Sequence, residues 1–213
     1  MKLRTQQQIL DAIDNELAWR TKELNNLCTS LGDARDGFRV NLARSAFVIV
    51  YAHWEGGVKQ CASYFLEYVA RQKHKYSELK SNFVAVACSS AIQQAASSGR
   101  LHVYAQVVDF LLFNQDDRYQ KPSTFEIQTD SNLSSKVMDN ICFNIGVSLG
   151  DDLELSRNFI DRNLLKVRNS IAHGGQDSID EKFLIEARDR VLKLLGIFRI
   201  ELQNAVVRKS YLR

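Results

Sequence analysis

An arginine and a histidine five residues apart, Arg168 and His173, are the groups in this chain best suited to chemistry on a phosphate. Histidine exchanges a proton near neutral pH, and arginine keeps its charge while offering a planar fork of donors that matches phosphate oxygens. Asn169 can hydrogen-bond a phosphate or orient the imidazole, and Lys166 can add a phosphate contact. With no carboxylate cluster or cysteine ligands close by in sequence, the set points away from a metal nuclease. Metal-free cleavage of RNA needs less, because the 2′-hydroxyl supplies the nucleophile and the protein has only to move protons and stabilise charge. No metal and no cofactor are expected.

These residues lie in the stretch Arg157 to Gly175, whose apolar positions Ile160, Leu164, Val167 and Ile171 are spaced i, i+4, i+7 and i+11. That spacing predicts a helix with one core stripe. On an ideal helix Arg162, Lys166, Asn169 and His173 follow the same rhythm and line a second face. Gly174 and Gly175 end the helix, so His173 falls in its last turn. Arg168 stands about 140° around the helix from His173. Either the helix loosens at its glycines, or the site is shared between two subunits. The bland alternative is that Arg168 pairs with a carboxylate such as Asp161 and His173 only caps its helix.

The run Arg168-Asn169-Ser170-Ile171-Ala172-His173 resembles the R-N-x-x-x-H signature of the HEPN superfamily of small helical domains. Tyr51-Ala52-His53-Trp54-Glu55-Gly56, the segment Thr129-Asp130-Ser131-Asn132-Leu133, and Gly174 strengthen the likeness to one family of HEPN-like nucleases. It runs from about residue 35 to the C-terminal helix. The resemblance implies an all-α fold and a metal-independent endoribonuclease acting as a toxin or antiphage effector. It also implies a homodimer in which two motifs meet in one cleft, with an antitoxin or defence-system partner. A catalytically silent HEPN scaffold binding RNA or a partner protein is the other reading, and an unrelated helical interaction domain the third. Some HEPN toxins carry a tyrosine two residues after the histidine as a nucleotide acceptor. Here that position is Gly175, which speaks against that mode of silencing.

Around the motif, 213 residues with 45% hydrophobic content and one proline suit one domain, expected over residues 1–213. A net charge of +3 is too small for a general polyanion field, so any RNA contact must come from local clusters. The longest apolar run, Ala46 to Ala52, is too short to span a membrane. The start Met1-Lys2-Leu3-Arg4 lacks a signal-peptide pattern, so a cytoplasmic location is expected. Cys28, Cys61, Cys88 and Cys142 are scattered and read as buried thiols.

An antiparallel helical bundle is expected, with a long irregular loop near 114–132. Thr5 and Gln8 form a capping box for a first helix to about Leu31, and a second runs from about Phe38 to about Lys73. That second helix is apolar on nearly every side at Ala46 to Ala52, which places it mid-bundle or at a subunit interface. Within it Glu55 can pair with Lys59, or else Glu55 or His53 stands beside the site, with Glu55 as a substrate contact. Gly56 and Gly57 suggest close approach of another backbone, or a kink. Arg71 to Lys75 reads as a solvated basic turn, and His102 as a packed histidine. Helices are further predicted over Ser77 to Ser98 and Leu101 to Phe113. A short extended piece at Phe125 to Ile127 comes next in the loop, then a helix capped by Ser131 or Asn132 and closed by Gly146 or Gly150. A last helix begins at about Asp180.

Overall fold

The computed structural model describes residues 3–213, so Met1 and Lys2, part of the leader reading, lie outside the described residues. Three long helices carry most of the core: α1 (Gln6–Gly32), α2 (Asp36–Arg71) and α8 (Glu181–Arg208). Around them come α3 (Ser81–Ser98), α4 (Leu101–Phe113), α5 (Ser135–Ile145), α6 (Gly150–Asn158) and α7 (Lys166–Ala172), and no strand is present among the described residues. The fold is all-α. Asp14 near the start of α1 meets Arg199 and Gln203 near the end of α8, so these two helices run antiparallel. The short link from α1 to α2 reverses the chain as well, which leaves α2 and α8 running the same way.

Local chemistry sets most boundaries. The Thr5 hydroxyl accepts from the Gln8 N–H and the Gln8 side chain accepts from the Thr5 N–H, the reciprocal box that opens α1. Gly146 closes α5 at φ +70, where a Cβ is disfavoured. The helix predicted from Ser77 starts four residues later, because Tyr76–Glu78 forms a 3₁₀ turn and Leu79 is extended against Leu212. Ser134, not Ser131 or Asn132, caps α5 by accepting from the Val137 N–H. Asp130 and Ser131 are held at φ +52 and +57, so the chain is still turning there. Phe125 to Ile127 is irregular rather than extended. The loop is pinned by burial of Tyr119 and Ile127.

The core is one contiguous cluster in which Phe47 stacks on Phe183 and Trp54 is fully enclosed. Gly56 and Gly57 make room for side chains rather than a backbone: an added Cβ would lie 3.0 Å from Arg20 Nη1 and 2.9 Å from Leu195 Cδ2 respectively. Arg20 is itself buried, paired with Glu16 at 2.6 Å. His102 is exposed on α4, which corrects its reading as a packed residue. In the basic turn, Arg71 pairs with Glu67 and Lys75 with Asp116, as a solvated surface should. Cys61, Cys88 and Cys142 are buried and Cys28 half-buried, all four unbridged, and burial pushes each thiol up from its ordinary value.

The motif helix departs from the ideal form. Between α6 and α7 the chain makes a π-helical turn at Phe159–Leu165, which brings residues five apart, Phe159 and Leu164, into the core together. The extra residue rotates α7 relative to α6, so Val167 and Ile171 are only half-buried at the core's edge instead of continuing a deep stripe. Asp161 anchors the turn by accepting from Ser135 N at 2.8 Å and Ser135 Oγ at 2.7 Å, which satisfies the open N-terminus of α5. Asp161→Ala should strand both donors and lower stability by about 1–3 kcal/mol. A thermal melt unchanged from wild type would contradict this account of the turn.

Candidate active site

Helix α7 runs antiparallel along α2, so successive motif residues meet α2 positions of falling number. Arg168 lies against Tyr51 and Glu55, Ile171 beside Val48 and Ile49, and Gly175 against Arg44. On α2, Arg44, Tyr51 and Glu55 are spaced i, i+7 and i+11, one face of a helix.

The Arg168 guanidinium sits over the Tyr51 ring at 3.9 Å from its centroid. Its Nη2 donates to the Ser131 carbonyl at 3.1 Å and lies 3.6 Å from Glu55 Oε2. Its Nε is buried with no acceptor. The pairing with Asp161 therefore does not occur, since that carboxylate is spent on Ser135, and Glu55 takes its place. Nor does Glu55 pair with Lys59, which lies 3.9 Å from Glu126 instead.

Loop 129–133 is gripped by the same face of α2. Thr129 donates its hydroxyl to Glu55 Oε1, the Leu133 N–H donates to Tyr51 Oη at 2.6 Å, and Trp54 Nε1 donates to the Leu133 carbonyl at 3.3 Å. These bonds hold the two left-handed residues Asp130 and Ser131, and so aim the Ser131 carbonyl at Arg168. Burial and the neighbouring Glu55 carboxylate push the Tyr51 hydroxyl up to about 12, so it remains protonated. In the sequence this segment stands out through the resemblance alone. Its physical role, as the wall that fixes Arg168, is visible only in three dimensions.

His173 is exposed at the end of α7, and its backbone N–H still donates to the Asn169 carbonyl at 3.0 Å. The helix therefore does not loosen ahead of the histidine. The break comes after it, at Gly174 with φ +83. At Gly175 an added Cβ would lie 2.8 Å from the Ser170 carbonyl oxygen, so no side chain fits there without opening the turn. Arg44, which motif reasoning does not single out, donates from Nη2 to the Gly175 carbonyl and ties this turn to α2.

Asn169 is half-buried, while Lys166 and Arg162 are exposed, and neither cation has an ion-pair partner among the described residues. His53 lies elsewhere, buried at the α1 seam. Its Nδ1 is 3.3 Å from Arg20 Nη1 and its Nε2 3.2 Å from Glu23, and burial lowers its proton affinity. The structure thus brings Glu55 to Arg168 and leaves His53 apart. No group of three His, Cys, Asp or Glu residues among those described could hold a metal ion, and no helix among them is long and apolar enough to cross a membrane.

The family model described as HEPN_MAE_28990-like HEPN matches residues 9–211. The chain belongs to this HEPN family. No curated protein and no solved structure matches it. The match spans nearly the whole of the described HEPN domain, so the R-N-x-x-x-H run lies within the family's own fold.

Proposed function

We propose that this HEPN domain is an endoribonuclease that cleaves RNA without a divalent metal. One observation carries the reading: a half-buried arginine, fixed by an aromatic ring, a carboxylate and a carbonyl, stands five residues before an exposed histidine. A guanidinium whose plane is set in advance is what a phosphate oxygen gaining charge requires.

In the reaction, a base removes the proton of a 2′-hydroxyl and its oxygen attacks the adjacent phosphorus. The bond from phosphorus to the 5′-oxygen then breaks, and that oxygen leaves with a proton. The products are a 2′,3′-cyclic phosphate and a 5′-hydroxyl. His173 moves one of these protons and Arg168 stabilises the phosphorane charge. Asn169 and Lys166 hold the backbone, and Glu55 acts through Arg168 by setting its plane.

Because α7 stays helical through Ala172, the offset between Arg168 and His173 persists within one chain. A homodimer resolves it by bringing two motifs to one cleft. The surface for that contact is the shallow groove between α2 and α7, with an apolar floor at Val48, Ile49, Ile171 and Ala172 and a polar rim at Arg44 and Ser45. The exposed Ala52 extends the same side of α2, which accounts for the all-round apolar character of that segment. Single-stranded RNA is the favoured substrate, since in-line attack needs a backbone freed from A-form stacking. A role as toxin or antiphage effector, restrained by a partner, goes with this activity.

Purified protein incubated with single-stranded RNA in EDTA should give fragments ending in 2′,3′-cyclic phosphate and leave DNA intact. Loss of cleavage in EDTA, or equal cutting of DNA, would overturn the mechanism. Tight RNA binding with no cleavage at all would favour a silent scaffold.

A further inference from the structure

The loop from Arg118 to Ser131 runs antiparallel along α2, so loop residues of falling number meet α2 residues of rising number. Thr129 bonds Glu55, Glu126 lies 3.9 Å from Lys59, and Tyr119 and Lys121 share an open cleft with Glu67 and Arg71. One seam therefore joins the wall behind Arg168 to the far end of α2. Glu55, Lys59, Ser63 and Ala70 fall at i, i+4, i+8 and i+15, on one side of the helix. At 1.5 Å per residue the seam is about 24 Å long from Glu55 to Arg71.

The cleft at its end is rich in cations. Its charged lining is Glu67, Arg71, Lys73, Arg118 and Lys121. Arg71 Nε donates to Glu67 at 2.6 Å, and none of the other three bases pairs with a carboxylate among the described residues. Neutral carbonyls hold two of them instead: Arg118 Nη1 donates to the Lys73 carbonyl at 2.8 Å, and Lys121 Nζ to Phe125 at 2.8 Å and Pro122 at 3.3 Å. A carbonyl orients a cation without cancelling its charge. Lys121 keeps one N–H and Arg118 several for an anion. Lys73 is fixed at φ +57, and the Tyr119 N–H donating to the His74 carbonyl at 2.8 Å ties loop to turn. The neighbouring acids do not line the cleft and are engaged elsewhere, Glu78 with the Lys75 N–H, Asp116 with Lys75 Nζ and Asp117 with Asn114. In a chain of net charge +3, three uncompensated cations at one cleft are a marked local concentration.

We propose that this cleft is a distal phosphate site for the RNA strand, gripping its backbone while Arg168 and His173 act on a bond about 24 Å away along α2. The inference rests on RNA being the substrate of that site. Continuity of the seam selects the occupant, because a strand leaving Arg168 along α2 arrives at these cations. At a rise of about 3.4 Å per nucleotide, about seven stacked nucleotides bridge the two. The grip is on phosphate and not on base edges, so it favours longer strands without reading their sequence.

The test measures binding of 2′-O-methyl RNA, which lacks the free 2′-hydroxyl and cannot be cut, to wild type and to Lys73→Asn/Arg118→Gln. Asparagine tolerates the left-handed backbone, and glutamine keeps a donor for the Lys73 carbonyl. On an unstructured strand of about twenty nucleotides the variant should bind on the order of 10-fold more weakly, with a salt slope lower by about 1.4, two contacts at about 0.7 each. Wild-type affinity should also step up as strand length passes about seven nucleotides, and the variant should lack that step. Equal affinity and slope for the two proteins on the long strand, or a loss that is the same at every length, would overturn the proposal. Inorganic phosphate at matched ionic strength is the control for a free anion: a melting temperature raised in wild type alone, with RNA affinity equal in both, overturns it too. If the double variant does not fold, by circular dichroism, Lys73→Asn alone is read the same way with half the change in slope. Binding needs no chemistry, so a chain that shows the length step and cuts nothing keeps this inference and loses the ribonuclease reading. A chain that cuts RNA while the variant binds like wild type loses this inference alone.

Discussion

His173→Ala is expected to slow RNA cleavage by on the order of 100-fold to 10,000-fold, the usual contribution of a general acid or base, with RNA affinity little changed. The histidine is exposed, and among the described residues its hydrogen bond is made through its backbone N–H, which alanine keeps. Folding should therefore change by no more than the roughly ±0.5 kcal/mol of an ordinary surface substitution. Lys166→Ala on the same helix is the contrast. As a phosphate contact, Lys166 should affect binding, and its loss should weaken affinity and reduce the salt slope by about one charge while leaving the chemical step near wild type. Single-turnover rates and salt titrations separate the two patterns. If His173→Ala melts the protein or cleaves at the wild-type rate, the histidine is a structural cap.

Arg168→Lys should be nearly as damaging to the rate, by on the order of 100-fold to 1,000-fold, although it preserves the charge. Lysine is a point charge on a flexible stem. It cannot lay a planar group over Tyr51, meet the Ser131 carbonyl and keep a further donor free for phosphate. The guanidinium's packing on the ring is worth about 0.5–1 kcal/mol at a partly exposed site. Stability should fall by about that amount, a melting shift of only a few degrees in a chain of this size. A fall in kcat with KM held would place the effect in the transition state. A rate equal to wild type would show that charge alone suffices and that the stacked geometry has no catalytic part.

Features governed by neighbours in the chain are legible from the sequence. The Thr5 and Gln8 box, the bounds of α4 and the helix end at His173 each depend on a few adjacent residues, and of the two glycines offered for the close of α5 the structure uses Gly146. The π-helical turn is not legible, because a periodicity argument assumes 3.6 residues per turn and one inserted residue breaks the stripe without altering its composition. The start of α5 is misplaced for a related reason. Ser131, Asn132 and Ser134 are all chemically able to cap, and the choice is made by Tyr51 and Trp54, some eighty residues earlier in the chain.

At the site, the types and roles of Arg168 and His173 can be read from their chemistry and their resemblance. What orients Arg168 cannot, because its partners arrive from α2 and loop 129–133 at separations of more than thirty residues. Local spacing offers Glu55 only Lys59 as a partner. Arg44 escapes motif reasoning altogether, although its i, i+7, i+11 spacing with Tyr51 and Glu55 is a signal present in the sequence.

The central claim is that the nucleophile is the RNA's own 2′-hydroxyl, activated at the Arg168 and His173 site. It is tested most directly with an oligoribonucleotide carrying a single 2′-deoxy residue at a mapped cleavage position, in EDTA. The account predicts that cleavage disappears at that position and continues at unmodified sites, where every product retains a 2′,3′-cyclic phosphate. Cleavage at the deoxy position at the rate of the unmodified strand would contradict it.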